Sequence, residues 1–235
     1  MARADVVVVG LGLDPGRLAR CAGVLDPEET DRAGRFLRAA DRARFLASHA
    51  ALRAVVGAAL GRPAASLRFG RDADGRPFLA EPAGTGLDIN LSHSGGVALV
   101  GLVRSARIGV DVEVRRPLPD ALRIARGHFA QDEACALEAL PPEAREAAFF
   151  ALWTRKEAVV KALGAGLSLP LAAFSVSVPP APPRMLRIAG EAAGWTLAAI
   201  EAGPGVCATA AVPAAGCTIR TTALPAGWAD EFDAK

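Results

Sequence analysis

The sequence predicts an α+β fold made of two similar halves. Short β-branched or apolar runs, typical of buried strands, alternate with longer stretches in which apolar residues recur at helical spacing. The order strand, helices, strands occurs twice, with a break near Ser105. This order favours two α+β halves packed side by side, which we expect to span residues 1–105 and 106–235 with a ligand cleft between them.

The first half opens with one strand and two helices. Residues 6–9 are a run of valines, which indicates a short buried strand. Asp26 precedes Pro27 and Glu29 in the arrangement of a capped helix start, with acids at the positive end of the helix dipole. A second helix is expected at about residues 41–60, where apolar residues recur near helical spacing.

Strand signals follow, and then the pattern returns to helix and to strand. Residues 87–91 and 97–103 predict a hairpin across a turn at residues 92–96, and residues 108–114 predict a third strand. Helical sequence begins near Leu118 and includes a long helix over residues 142–163. The last predicted strands are residues 174–178, 185–188, 195–200 and 206–212.

The composition is that of an ordinary globular chain. It has 235 residues, of which 51% are hydrophobic and 22% charged, and its formal net charge of +2 argues against a general nucleic-acid binder. The four cysteines lie apart without C-x-x-C spacing, which argues against a zinc site or a disulfide framework. The N-terminal valine run is too short for a signal peptide or a membrane span, so we expect a cytoplasmic protein without a membrane partner.

Two carboxylates share one face of the strand predicted at residues 108–114. Asp111 and Glu113 are two positions apart, and the three valines of the same segment take the other face. Like charges this close raise each other's pKa unless a cation lies between them, and a hard divalent cation with oxygen ligands fits. A solvent-facing strand edge that pairs with Arg115 or Arg116 is the alternative.

A second group of charged residues lies in the long helix. Trp153, Glu157 and Lys161 are four residues apart and share one face, although such a pair could be an ordinary surface salt bridge. The chain has 24 arginines and only three lysines, yet Lys156 and Lys161 both lie in this stretch. Lysine in an arginine-rich chain suggests a function that arginine performs poorly, such as giving up a proton or acting as a compact point charge.

Polar residues cluster at the predicted hairpin turn. Residues 90–96 offer hydroxyls, an imidazole and backbone N–H groups that could hold a phosphate, or they could form a purely structural turn. Arg76, in a Gly-Arg-Pro turn, could face an anion. His49 and His128 have no evident partners in the sequence and are expected to be structural.

Together these motifs resemble the large, pseudo-dimeric 4′-phosphopantetheinyl transferases of the surfactin-synthetase-activating type. The resemblance covers most of the chain and is carried by G-V-D-V-E at residues 109–113, W-x-x-K-E-A-x-x-K at 153–161, G-A-G-L-S-L-P at 164–170 and N-L-S-H-S at 90–94. It implies a monomer whose two halves are related by a pseudo-two-fold axis. Coenzyme A would bind in the cleft between the halves.

The resemblance also implies the reaction. The phosphopantetheine arm of coenzyme A would pass to a serine of an acyl, peptidyl or aryl carrier protein, with release of 3′,5′-ADP. Asp111, Glu113 and Glu157 would hold Mg²⁺ against the pyrophosphate. Asp111, Glu157 and Lys161 would be the catalytic residues, with Glu157 accepting the serine proton and Lys161 beside the phosphate under attack.

The same resemblance assigns the contacts to coenzyme A. These are Ser92, His93, Lys161 and Arg76, with Arg32, Arg44 and Arg53 in the region that supplies further basic contacts. Relatives often carry a lysine near the position of Glu29, so Arg32 would serve in its place. Two alternatives remain: a catalytically degenerate module that binds a carrier protein or a nucleotide, and a magnesium-dependent phosphotransferase that acts on another nucleotide.

Overall fold

The computed structural model describes residues 2–73, 75–189 and 192–232, and it confirms the α+β class. The α-helices in this part of the chain are α1 (Pro15–Val24), α2 (Pro27–Gly34), α3 (Ala39–Leu60), α4 (Ala121–His128), α5 (Gln131–Glu138) and α6 (Pro142–Leu163). The strands are β1 (Arg3–Gly10), β2 (Arg68–Arg71), β3 (Pro77–Glu81), β4 (Leu87–Ser94), β5 (Val97–Arg104), β6 (Gly109–Val114), β7 (Ser175–Val176), β8 (Met185–Arg187), β9 (Thr196–Ala199), β10 (Val206–Val212) and β11 (Thr218–Ala223).

Two sheets pack face to face, and each carries helices on its outer face. The four-stranded sheet has the order β11-β1-β5-β4 and packs against α1 and α3, and the three-stranded sheet has the order β6-β10-β9 and packs against α6. The apolar cluster between the sheets includes Val6, Leu99, Val110 and Ala210. This packing also sets β4 of the first sheet beside β6 of the second.

The helix boundaries follow from local signals. The Asp26 side chain caps α2 by accepting a hydrogen bond from the Glu29 backbone N–H. The Glu29 side chain in turn accepts one from the Asp26 backbone N–H, which completes the capping box. α3 and α6 end at Gly61 and Gly164, whose φ angles of 62° and 70° are left-handed. These starts and ends agree closely with the predicted ones.

α3 is a core helix. Among the described residues it alone has the length and composition of a membrane span, with a mean hydropathy of 1.2 over its most apolar window. Its apolar residues pack against the four-stranded sheet, and Ala47, Ala51 and Val56 are fully or almost fully buried. Burial in the core therefore accounts for its apolar composition.

The structure differs from the prediction at the hairpin and at the chain ends. β4 continues through Ser94, so the residues expected at a loop tip lie in a strand that pairs with β5, and the turn is only Gly95 and Gly96. Helix α1 and strands β2, β3 and β11 were not predicted. β11, which belongs by sequence to residues 106–235, pairs in parallel with β1 in the four-stranded sheet.

Candidate functional site

A cleft of about 1030 Å³ opens where β4 lies beside β6 and α6. Both sheets contribute to its walls, and so does the loop that precedes β3. Seven of the nine predicted site residues line it, namely Arg76, Ser92, His93, Asp111, Glu113, Glu157 and Lys161. The two others, Arg32 and Arg44, do not line this cleft.

Gly109 allows β6 to lie directly on α6. A Cβ atom at this position would stand 1.9 Å from the Ala158 carbonyl oxygen and 2.4 Å from the Ala162 nitrogen, so no larger residue fits without moving the backbone. The alternation of the strand then turns Asp111 and Glu113 toward the α6 side, as predicted, while the valines between them enter the cluster between the sheets.

Asp111 is the most buried acidic group of the cleft. Its Oδ1 atom accepts hydrogen bonds from Lys161 Nζ at 2.6 Å and from Ser92 Oγ at 3.0 Å. Its Oδ2 atom is buried and has no hydrogen-bond partner among the residues that the structure describes. Burial raises the pKa of Asp111, and Glu113 adds to this, although Lys161 and Ser92 act in the opposite direction. A buried carboxylate oxygen without a donor is costly, and it is where a cation would be held.

Glu113 and Glu157 complete the acidic wall. Glu113 Oε2 accepts from Ser94 Oγ at 3.0 Å and from Arg116 Nη1 at 3.2 Å, so the surface pairing left open by the sequence is present with Arg116. Burial raises the pKa of Glu157, and the nearby Asp111 and Glu113 raise it further, while Lys161 lowers it. Asp111 and Glu113 are therefore close enough to Glu157 to raise its pKa.

The donor chemistry of this wall fits a hard divalent cation, because all three side chains offer carboxylate oxygens. No group of three or more potential ligand side chains in the described residues is close enough to hold an ion by itself. An ion at Asp111 Oδ2 would therefore need additional oxygen ligands from another molecule.

Arg76 links β4 to α6 and to the start of β6 at one end of the cleft. Its guanidinium donates to the carbonyl of Lys161 in α6, to Asp88 Oδ2 in β4 at 2.6 Å, and to the carbonyl of Ile108 just before β6 at 2.8 Å. It is 8% exposed. These contacts hold β4 against α6 and the start of β6. That Arg76 contacts coenzyme A stays a prediction.

The remaining basic residues lie on the four-stranded-sheet side. Partial burial lowers the pKa of His93, and the positive charges of Lys161 and Arg44 lower it further, which places these three groups near one another. Arg32 lines a smaller pocket beside the cleft, together with His49 and Arg71. Arg71 was not identified from the sequence, where it lies in an unrecognised strand.

His49 is a structural residue, as predicted. It stacks on Phe45 with ring centroids 3.8 Å apart, and its Nδ1 lies 3.1 Å from the Phe45 carbonyl oxygen. Burial and the nearby Arg32 lower its pKa to about 3, so its imidazole is neutral at physiological pH.

Several charged residues of the motifs lie in the core instead. Arg53 is fully buried and donates to Asp26 Oδ2 and to Glu29 Oε2, both at 2.7 Å, so it stabilises the start of α2 and cannot reach the cleft. Lys156 is also fully buried and pairs with Glu133. Only Lys161 of the two lysines in the motif therefore lies at the site.

The far wall of the cleft is largely apolar and was not foreseen. Ile124 and His128, four residues apart on α4, line this wall together with Trp153 of α6, and Leu169 and Leu171 extend it. His128 was expected to be structural, but it is exposed at the cleft rim. A stripe with this spacing is indistinguishable from ordinary core sequence, which is why it was missed.

Comparison with known proteins gives one consistent family. The model described as "4'-phosphopantetheinyl transferase superfamily" matches residues 107–212, and the model described as "4'-phosphopantetheinyl transferase, N-terminal" matches residues 15–103. The 4'-phosphopantetheinyl transferase HetI of Nostoc sp. is 35% identical over 217 residues, which is 92% of this chain and 85% of HetI.

Two Bacillus subtilis proteins are similarly related. One, named 4'-phosphopantetheinyl transferase, is 34% identical over 164 residues, covering 70% of this chain and 71% of its own length. The 4'-phosphopantetheinyl transferase Sfp is 31% identical over 157 residues, covering 67% of this chain and 68% of Sfp.

Proposed function

The chain belongs to the 4'-phosphopantetheinyl transferase superfamily, and we propose that it transfers the phosphopantetheine arm of coenzyme A to a serine of an apo carrier protein. The products are the holo carrier protein and 3′,5′-ADP. The observation that carries the proposal is the single cleft in which Asp111, Glu113, Glu157 and Lys161 face basic and polar groups of β4. A module that only binds would not need an acidic wall with a buried, unpartnered carboxylate oxygen.

Coenzyme A would lie along the cleft with its nucleotide toward the four-stranded sheet. His93 of β4 and Arg44 of α3 lie on that side with Arg32 and Arg71 beside them, and Lys161 approaches them from α6. Besides burial, the charges of Lys161 and Arg44 lower the pKa of His93, and the charge of Arg71 lowers the pKa of Arg32, so a phosphate bound here would relieve repulsion. The 3′-phosphate and the pyrophosphate are the anionic groups of this ligand.

Asp111, Glu113 and Glu157 would hold Mg²⁺ together with oxygens of the pyrophosphate. The need for extra ligands agrees with such sharing, since Mg²⁺ is commonly bound through a few carboxylates and substrate phosphates. When bound, the ion supplies charge neutralisation for the phosphate under attack.

Glu157 and Lys161 would manage protons and charge during transfer. The carrier serine oxygen attacks the phosphorus that bears the pantetheine arm, and the bond from that phosphorus to the ADP oxygen breaks. Glu157, with a raised pKa, is suited to accept the serine proton. The Lys161 side chain is 29% exposed, and its Nζ lies 2.6 Å from Asp111 Oδ1. From this position the ammonium group would neutralise the departing 3′,5′-ADP.

The carrier protein would approach from the apolar far wall. Ile124, Trp153, Leu169 and Leu171 offer apolar area beside the acidic wall, and the exposed edge of the cleft leaves room for a serine held by another protein. We propose that acyl, peptidyl or aryl carrier domains bind transiently to a monomer in the cytoplasm. The burial of α3 in the core agrees with this location.

The test is intact-protein mass spectrometry of an apo carrier domain incubated with the protein, coenzyme A and Mg²⁺. We expect the mass of one phosphopantetheine to be added, and a chelator to prevent it. Asp111→Asn should abolish the addition. Asp120→Asn is the matched control, because Asp120 is an exposed carboxylate that pairs with Arg123 outside the cleft.

The alternatives give different results in the same preparation. A binding module would be stabilised by coenzyme A in a melting assay but would add no mass to several types of carrier. A phosphotransferase for another nucleotide would be stabilised by ATP and not by coenzyme A. Either result would overturn the proposal.

A further inference from the structure

Side chains join β4 to β6, although the two strands belong to different sheets. Four alternate residues of β4 accept hydrogen bonds from four alternate backbone N–H groups on or next to β6. We refer to these four as the β4 ladder. Its bonds run from Ile108 to Asp88 at 2.8 Å, from Val110 to Asn90 at 2.8 Å, from Val112 to Ser92 at 3.3 Å and from Val114 to Ser94 at 3.1 Å.

The chemistry of the β4 ladder changes along its length. Asp88 and Asn90 bind the N–H groups through acceptor oxygens, whereas Ser92 and Ser94 do so through hydroxyls. A hydroxyl that accepts an N–H bond still has its own proton to donate. Ser92 donates it to Asp111 Oδ1, and Ser94 donates it to Glu113 Oε2, each at 3.0 Å.

The hydroxyls therefore stand only opposite the two carboxylates of β6. Because both strands have a period of two, each serine lies beside the acid that precedes its own N–H donor. A donated proton favours the ionised carboxylate and fixes its orientation. For Asp111 this bond to Ser92 lowers the pKa against the effect of burial.

Ser94 can act on the site only through Glu113. Unlike Ser92, it does not line the cleft and makes no bond to Lys161. Arg116 competes for the same oxygen of Glu113 from the solvent side, where its side chain is 59% exposed. Without the serine hydroxyl, Glu113 would be free to turn toward Arg116 and away from the cleft.

We infer that Ser94 is a positioning residue that keeps Glu113 turned into the cleft for cation binding. The inference rests on the proposed function, since it assumes that Glu113 is a cation ligand. It also means that a residue of the four-stranded sheet sets the geometry of a ligand carried by the other sheet. Partners of this kind typically change metal affinity by about 10–100-fold when they are removed.

The experiment measures Mn²⁺ binding calorimetrically with the full chain saturated with coenzyme A. Ser94→Val and Ser94→Thr give side chains of the same shape, each branched at Cβ, but only Ser94→Thr keeps the hydroxyl and the acceptor of the Val114 N–H. We expect Ser94→Val to weaken Mn²⁺ binding by about 10–100-fold and Ser94→Thr to stay close to the wild type. Adding Arg116→Ala to Ser94→Val should recover part of the loss, because the competing partner of Glu113 is gone.

Thermal melting of each variant separates folding from positioning. If Ser94 had a purely structural role, the Mn²⁺ affinity of each variant would fall in step with its melting temperature. Adding Arg116→Ala to Ser94→Val would then not recover any Mn²⁺ affinity. Unchanged Mn²⁺ affinity in Ser94→Val, or equal losses in Ser94→Val and Ser94→Thr, would overturn the inference.

The outcome also differs from a failure of the proposed function. If the wild type binds Mn²⁺ and transfers phosphopantetheine but Ser94→Val binds equally well, only the positioning role is wrong. If the wild type transfers nothing while the affinity differences persist, only the proposed reaction is wrong. If the wild type binds no Mn²⁺ in the presence of coenzyme A, both are wrong.

Discussion

Replacing Lys156 by methionine should cost folding free energy without a direct effect on chemistry. Lys156 Nζ donates to both oxygens of Glu133, at 2.8 and 2.6 Å, and to the Phe174 carbonyl oxygen at 2.8 Å. Lys156 is 0% exposed and Glu133 is 1% exposed. Methionine fills the space of the lysine stem but leaves the Glu133 charge without its cation.

The size of the effect follows from burial. Removing one partner of a buried ion pair costs about 3–5 kcal/mol, because the other charge remains uncompensated. For a domain of this length each kcal/mol lowers the melting temperature by about 2–4 °C, so we expect a decrease of roughly 6–20 °C. The double variant Glu133→Gln with Lys156→Met should recover much of this loss, since it removes the stranded charge.

The pH dependence gives a second check. Burial raises the pKa of Glu133, and Lys156 is the main group that opposes this. Without Lys156 the folded-state pKa of Glu133 lies further above its unfolded value. The ionised Glu133 therefore lowers the free energy of unfolding at high pH, and this loss of stability is relieved as the pH falls and Glu133 becomes protonated. The difference in melting temperature between wild type and Lys156→Met should therefore be smaller at pH 5 than at pH 8.

The matched control is Lys161→Met in the same helix. Lys161 has a side chain that is 29% exposed, and the buried Asp111 would keep its bond from Ser92, so the loss of Lys161 should cost less stability than Lys156→Met while transfer to a carrier is abolished. Thermal melting and carrier mass spectrometry measure both properties. A Lys156→Met protein that melts with the wild type and yet transfers nothing would refute this reasoning.

Four further substitutions test the site and its supports. Glu157→Gln should abolish transfer and raise the melting temperature at pH 8, because burial and neighbouring acids raise the pKa of Glu157 and its ionised form costs folding free energy. This gain in melting temperature should shrink as the pH falls, and a lower melting temperature at pH 8 would contradict the prediction. Gly109→Ala should lose transfer and at least about 1–3 kcal/mol in denaturant unfolding, because its Cβ meets the backbone of α6; an unchanged midpoint would show that the strand can move. Lys161→Arg should impair transfer although the charge is kept, and full activity would remove the argument from lysine usage. Arg155→Ala should lower stability by about 1–3 kcal/mol, since its guanidinium donates to the carbonyls of residues 177 and 181, but activity well below the melting temperature should remain; loss of activity in folded protein would contradict this.

The sequence was sufficient where structure depends on near neighbours. α2 begins, and α6 begins and ends, where caps, proline and glycine predict, because these signals act within one helical turn. The shared face of Asp111 and Glu113 follows from strand alternation alone. The start of α1 carried the same kind of signal, since Asp14 caps it through the Arg17 N–H, but it was overlooked.

Tertiary structure decided what the sequence could not. The argument from lysine usage did not distinguish Lys156 from Lys161. The two residues are five positions apart on a helix and face different surroundings, and only the fold shows that Lys156 pairs with Glu133. The serines near residue 93 looked like a turn because Ser and Gly are turn formers. Their role in the β4 ladder depends on β6, which is distant in sequence and lies in another sheet.

β11 fell outside the prediction because its partners lie at the other end of the chain. The strand is polar and mostly exposed, so it lacks the alternation that marks a half-buried strand. Its strand conformation depends on parallel pairing with β1, because its own sequence carries no clear strand pattern. Burial and pairing of this kind are properties of the assembled fold.

The pairing of β1 with β11 also bears on how the protein is made. Asp5 and Arg220 bond across these strands although they are 215 residues apart in sequence. During synthesis β1 leaves the ribosome long before its partner, so one edge of the nascent sheet stays open until the last strand emerges. An open edge of valines is a template for pairing with other chains. Nascent chains truncated before β11 should therefore aggregate, because the β1 edge of their sheet would stay unpaired.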